Sequence, residues 1–260
     1  MAARLTLRDL TLRFGGISVL ENVSFDVDPG LIFGMVGPNG AGKTSLFNCI
    51  SGHYKPSSGS ILIDDEEVIG SSPATLARHG LARTFQHPAL QLESTVLDNV
   101  MLGAHTRLPG GPIAWSLGLP LTGRSEKKIR AEAREILEKV GLDWAADMNA
   151  DELSHGLHKG IELARALMSR PRLLLLDEPA AGLPHSEVEH LIGLIRTIRA
   201  ETDITIVVVE HHMGLIAALT DRVVVLDHGK KLVEGTAAEA QSDPRVIEAY
   251  IGKEADDDAA

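Results

Sequence analysis

Lys43 and Thr44 end a glycine-rich stretch, residues 34–48 reading GMVGPNGAGKTSLFN, and a basic and a hydroxyl side chain placed there can hold a polyphosphate. Gly37, Gly42, Lys43 and Thr44 satisfy the spacing G-x-x-x-x-G-K-[ST], with an apolar run ahead of the loop and a helical pattern behind it. Glycines at 37, 40 and 42 let backbone N–H groups turn around phosphate oxygens, and a following helix adds the positive end of its dipole. Lys43 can reach the β- and γ-phosphates. The Thr44 hydroxyl is a hard oxygen ligand suited to a magnesium ion that keeps some of its waters. A simple turn between buried elements has no need of Lys-Thr at its end. The order of glycines does not fit G-x-G-x-x-G, which disfavours a dinucleotide fold.

Two further groups of polar residues follow apolar runs. The run 172–176 ends in Asp177-Glu178-Pro179. Acids at the end of a buried strand are costly without a cation, and in a phosphate-loop fold the carboxyl ends of the strands face the nucleotide. Asp177 therefore reads as the residue that orients magnesium and its waters, and Glu178 as one that polarises an attacking water. The run 204–209 ends in Glu210-His211-His212, where His211 could hydrogen-bond a γ-phosphate. His211 and His212 are poor joint metal ligands, since adjacent strand residues point to opposite faces. His155 and His158 have helix-compatible spacing but no evident third ligand, and read as non-metal. Phe14, followed by Gly15 and Gly16, could stack on a purine, although an aromatic on a strand more commonly belongs to a core.

Bringing these groups together calls for a parallel sheet. Residues 4–27 alternate apolar and polar in strand fashion, which predicts an antiparallel sheet. Short strands are expected at 31–36, 60–63, 81–85, 172–176 and 204–209, with a final pair around His228-Gly229. Between 87 and about 148 the pattern changes to helices joined by a Gly/Pro-rich link, residues 108–123; the clearest helix begins at Ser125 and closes at Gly141. The expected fold is α/β within one domain, residues 1–252. Residues 1–86 and 160–240 form a phosphate-loop core with an antiparallel β subdomain, and 87–159 an inserted α-helical subdomain. A C-terminal helix covers 241–252, and 253–260 are a disordered acidic tail.

Composition narrows the partners. The 260 residues carry a formal net charge of -11, which works against the dense basic contacts that nonspecific nucleic-acid binding requires. The single cysteine, Cys49, cannot form an internal disulfide and suits a buried helix face in a reducing compartment. No N-terminal segment resembles a signal peptide, and the apolar runs are too short to span a bilayer.

Taken in order, GPNGAGKTS, TFQ, LSHG, LLLLDEP and VVVEHH resemble the motifs of the nucleotide-binding subunits of ABC transporters over nearly the whole chain. The resemblance implies ATP and Mg2+ as cofactors, with Gly37, Pro38, Asn39, Gly40, Ala41, Gly42, Lys43, Thr44 and Ser45 as nucleotide contacts. It implies Phe14 as the adenine-stacking aromatic and Glu178 as general base. His211 becomes the γ-phosphate switch, and Gln86 the glutamine that links magnesium and attacking water to the permease. Thr44, Gln86 and Asp177 would form the metal side. Ser154 and Gly156 would contact the γ-phosphate of ATP held by the other subunit of a head-to-tail dimer, with itself or with a paralogous ATPase. The implied setting is the cytoplasmic face of the plasma membrane, peripheral, with transmembrane permease subunits as partners and a solute-binding protein as an indirect one.

Within that family the chain is most similar to the branched-chain amino acid importer (LivG-like) ATPases, through RFGG at 13–16, ARTFQH at 82–87, DEPAAGL at 177–183 and VIEAYIG at 246–252. ATPases for urea and other amides or for lipopolysaccharide export are also similar. A soluble ABC-type factor of translation or repair would carry two cassettes or a long coiled coil, and a phosphate-loop kinase has no use for LSHG. The signature departs from the usual LSGGQ, with His155 in place of a glycine and Leu157 in place of the glutamine.

Overall fold

A computed structural model describes residues 1–84, 90–107 and 123–257. The strands are β1 (Leu5–Phe14), β2 (Ile17–Val27), β3 (Ile32–Val36), β4 (Ser58–Ile63), β5 (Glu66–Glu67), β6 (Leu81–Arg83), β7 (Leu173–Asp177), β8 (Thr205–Val209), β9 (Arg222–Asp227) and β10 (Lys230–Gly235). The helices are α1 (Lys43–Ile50), α2 (Pro73–Arg78), α3 (Val96–Met101), α4 (Gly123–Lys139), α5 (His155–Met168), α6 (His185–Glu201), α7 (Met213–Leu219), α8 (Ala237–Ser242) and α9 (Pro244–Asp257).

The strands build a four-stranded sheet in the order β2-β1-β4-β5 and a six-stranded sheet in the order β10-β9-β3-β8-β7-β6. All pairs of the first are antiparallel, as the alternation in residues 4–27 predicts. In the second, β9, β3, β8, β7 and β6 pair in parallel, and β10 turns back against β9.

Central parallel strands bury both faces, so their sequences are continuous apolar runs. Phe33, Met35, Leu173, Leu175, Val207, Val209, Val224 and Leu226 face a core shared with the antiparallel sheet and with Leu46, Phe47, Cys49 and Ile50 of α1. Their neighbours Ile32, Leu174, Leu176, Ile206, Val208, Val223 and Val225 face a second core, shared with α3 to α7. The alternation along each strand thus fastens the phosphate-loop helix to one face and the helical segment to the other.

Local signals set several boundaries. Ser72 caps α2 by accepting from the Thr75 N–H, and Pro73 occupies the first turn, where its missing donor is not needed. Residues 85–89 and 108–122, which include Gln86 and nearly all of the Gly/Pro-rich link, lie outside the described residues. One expectation is corrected. The last helix continues past Gly252 to Asp257, where a disordered tail was expected from 253. Lys253, Glu254 and Ala255 are good helix formers, and one glycine without a following proline is a weak stop.

Candidate active site

β3, β8 and β7 are neighbours, and all three deliver their carboxyl ends to the same edge of the sheet. Met35 and Asp177 both lie beside Val209 in the ladder, so the phosphate loop, Asp177-Glu178 and Glu210-His211 emerge side by side. Main-chain bonds extend the alignment past the strands: Glu178 N–H donates to the Val209 carbonyl at 3.0 Å, and Glu210 N–H to Met35 at 3.3 Å.

The loop from Gly37 to Gly42 has one packed wall and one open side. A Cβ on Gly37 would overlap the Leu226 carbonyl, so only glycine lets the loop leave β3 this close to β9. Gly42, at φ 96°, caps α1 in a left-handed conformation against Leu20 and the Val19 carbonyl. Asn39, Gly40 and Thr44 are exposed, whereas Gly37, Pro38, Ala41 and Lys43 are buried and Ser45 is half-buried. The turn between β9 and β10 stitches this loop in place, since Gly229 N–H donates to Ala41 and its carbonyl accepts from Glu21 N–H. Lys43 folds over the loop, its ammonium donating to the Gly37 and Pro38 carbonyls at 2.6 and 3.1 Å. Glycines on an open loop, an ammonium and the start of a helix form a cradle that fits a polyphosphate.

Asp177 is buried at the end of β7, and its counterion is Arg83, at 2.6 Å. Glu178 follows at φ 43°, a left-handed conformation that costs a non-glycine residue energy and that collects at functional sites. His211 is largely exposed, with Nδ1 3.7 Å from Glu210. Glu210 is only 1% exposed, accepts a hydrogen bond from Ala180 N–H at 3.1 Å, and has its carboxyl pushed up by burial. Lys159 of α5 is buried within electrostatic reach of Glu162, Glu210, Asp177 and Glu178; burial pulls its ammonium down. Thr44 and Asp177 offer the hard oxygen donors that magnesium takes, so the chemistry of this donor set fits that metal.

Phe14 ends β1 with about half its surface exposed and meets Tyr54 edge to face, with ring centroids 5.3 Å apart. An exposed aromatic pair of this kind offers a face on which a purine can stack.

The signature segment forms the start of α5. Ser154 stands at the cap position, as its sequence context predicts, but makes no side-chain cap hydrogen bond. Gly156 packs against Glu187 of α6, and a Cβ there would overlap that carboxylate. The His155 ring is exposed and lies near Gly182 in the loop that follows Glu178. His158 Nε2 is bonded to the Ala150 carbonyl at 2.7 Å.

Arg83, Glu210, Lys159 and Tyr54 went unassigned in the sequence, where each looks like an ordinary surface or loop residue. A charge at the inward register of an apolar run is the signal that could have exposed the first three.

Between α2 and β6 on one side and α5 on the other runs a groove of about 820 Å³, lined in part by Ala74, Leu81, Arg83, Leu102, Glu162 and Ala166. No helix among the described residues is long and apolar enough to cross a membrane.

Comparison with known proteins gives a consistent picture. Residues 20–181 match the ABC transporter family, and residues 230–256 match the family described as branched-chain amino acid ATP-binding cassette transporter. The chain is 39% identical to the high-affinity branched-chain amino acid transport ATP-binding protein BraF of Pseudomonas aeruginosa, over 96% of this chain and 98% of that protein. It is 38% identical to LivG of Escherichia coli K12, with the same coverage. Among solved structures it is similar to an ATP-binding cassette of an ABC transporter in its ADP conformation, with a TM-score of 0.85 and 31% identity over 97% of this chain and 100% of that one. A nucleotide-free cassette gives a TM-score of 0.83 at 31% identity, over 95% and 98% of the two chains.

Proposed function

The chain belongs to the ABC transporter ATP-binding family, whose members bind nucleotide and couple ATP hydrolysis to transport, and we propose that it powers uptake of branched-chain or related amino acids through a membrane permease. The observation that carries the site is the convergence of the phosphate loop, Asp177-Glu178 and His211 on adjacent strand ends. The amino acid reading is supported by the relatives BraF and LivG and by the match over residues 230–256.

In this reading the loop from Gly37 to Ser45 wraps the phosphates, Lys43 moves from its own loop carbonyls to the β- and γ-phosphate oxygens, and Phe14 stacks on adenine. Thr44, Asp177 and Gln86 would hold magnesium, which when bound would neutralise phosphate charge. Glu178 takes the proton of the attacking water, and His211 donates to the γ-phosphate from its exposed position beside Glu210. Ser154 and Gly156 face the ATP of a second subunit, either a copy of this chain or a paralogue, in a head-to-tail dimer. ATP contacts made only in the closed dimer would drive closure, and their loss on hydrolysis would reopen it.

The groove between α2, β6 and α5 is the surface we assign to the permease, at the cytoplasmic face of the plasma membrane, with a solute-binding protein acting indirectly on the far side. Its lining is largely apolar, and Arg83 in its wall leads along the chain toward Gln86. Affinity purification of the tagged chain from membranes, followed by transport assays on the co-purifying permease, tests this reading. Recovery of an amino acid permease whose ATP-driven uptake of branched-chain amino acids needs this chain is the expected result. A permease that carries only urea, other amides or lipopolysaccharide would overturn the solute assignment.

A further inference from the structure

The Arg83 guanidinium joins three elements. Its Nη2 donates to Asp177 Oδ2 at 2.6 Å, and its Nη1 donates to Asn48 Oδ1 and to Ser51 Oγ, both at 2.7 Å. The guanidinium carbon lies 5.1 Å from the centroid of the Phe47 ring. Ser51 completes the arrangement by donating its own proton to the Phe47 carbonyl at 2.8 Å. Both members of the ion pair are nearly buried, at 9% and 10% side-chain exposure. Strand β6, helix α1 with the turn after it, and the end of β7 therefore meet on one planar fork. Lysine, a point charge, could not reproduce that set of bonds.

We propose that Arg83 is the internal counterion of Asp177 and opposes magnesium for that carboxylate, thereby setting how much of the nucleotide affinity depends on the metal. The proposal rests on the reading of Asp177 as a magnesium-side residue. A buried carboxylate needs a cation, and Arg83 supplies one from within the chain. The same guanidinium repels a divalent ion drawn to Asp177, and burial leaves that repulsion poorly screened by salt. Linkage makes the effect reciprocal: what tightens the pair weakens the metal, and metal at Asp177 loosens Arg83. The loosened residue is the last of β6 and lies in the wall of the groove.

The test is calorimetric titration of the full chain with a non-hydrolysable ATP analogue, once with Mg2+ and once with EDTA. The ratio of the two dissociation constants is the metal gain. Arg83→Met keeps reach without charge, and Arg83→Lys keeps charge without the fork. The gain should rise about tenfold in Arg83→Met, the scale of a close, partly screened unit charge. It should rise less in Arg83→Lys, with affinity in EDTA little changed in either. In an Asp177→Asn background the Arg83 substitutions should no longer alter the gain, which a merely structural tie would not predict. An unchanged gain in both variants would overturn the proposal, as would a reduced gain, which would make Arg83 a support that the metal needs. If Arg83→Met does not fold, Arg83→Lys decides alone, because its gain must still exceed that of the natural chain. Analogue binding by the natural chain with no metal gain at all would refute the magnesium reading of Asp177 and this proposal with it. Failure to bind the analogue under either condition would refute the nucleotide site itself.

Discussion

The phosphate-loop edge and the signature segment are built to different degrees of completeness. At the first, loop, acids and histidine sit on adjacent strand ends, and main-chain bonds from Glu178 to Val209 and from Glu210 to Met35 fix their relative positions. Lys43 already folds over its own loop. At the second, Ser154 makes no side-chain cap bond and His155 stands exposed at the start of α5. A site whose groups hold one another in place is suited to bind its nucleotide within one chain. A helix start whose serine and histidine face outward is suited to meet a surface supplied by another molecule. The two regions should therefore answer differently to substitution: the first through chemistry, the second through association.

The sharpest separation comes from Glu178→Gln. If Glu178 is the general base, the amide should leave ATP affinity near that of the natural chain and slow hydrolysis by roughly 10²–10⁴, the usual worth of such a group. The variant should also accumulate an ATP-dependent dimer in size-exclusion chromatography, because the closed state can no longer decay by hydrolysis. Unchanged phosphate release would remove Glu178 from the chemistry and leave its left-handed backbone without a functional reason.

The signature side is probed by restoring the family pattern with His155→Gly and Leu157→Gln. Leu157 offers no hydrogen bond where the usual glutamine amide would, and His155 places a ring where a close backbone approach would favour glycine. The double variant should dimerise with ATP roughly tenfold more tightly, about the worth of one hydrogen bond to a charged group, while single-chain nucleotide affinity stays the same. Sedimentation with and without ATP measures the first, and titration of the monomer the second. No gain in dimerisation, alone or with the permease, would mean that Ser154 and Gly156 suffice and that the departure is neutral.

Legibility in the sequence followed burial and chemistry. Parallel strands could be placed because both of their faces are buried: 173–176 and 206–209 are unbroken apolar runs, and the polar residues that follow them had to lie at the sheet edge. Phosphate-loop residues were legible because so few residue types can do that work. Arg83, Lys159 and Glu210 went unassigned, since a charge set in an apolar run marks a candidate without naming its partner, and the partner of Arg83 lies in another strand, on Asp177. The overrun of α9 past Gly252 was missed because glycine near a helix end usually stops it, and no proline follows here to enforce the stop.

The smallest expected effect tests whether the phosphate-loop edge carries a cost for its completeness. Glu210 is almost fully enclosed, and burial is the largest influence holding its carboxyl above the ordinary value of 4.5. The folded chain therefore keeps that proton more firmly than the unfolded chain does. Its stabilising contribution is full below the ordinary value and is lost as pH rises through the raised folded value. Glutamine at this position cannot titrate and can still accept the Ala180 N–H that Glu210 accepts at 3.1 Å. Glu210→Gln should consequently show a shallower fall in stability as pH climbs from about 4.5 through the raised folded value, with the two chains diverging across that window. Urea unfolding at a series of pH values measures the divergence. Parallel stability curves would mean that nearby cations such as Lys159 fully offset the desolvation of Glu210.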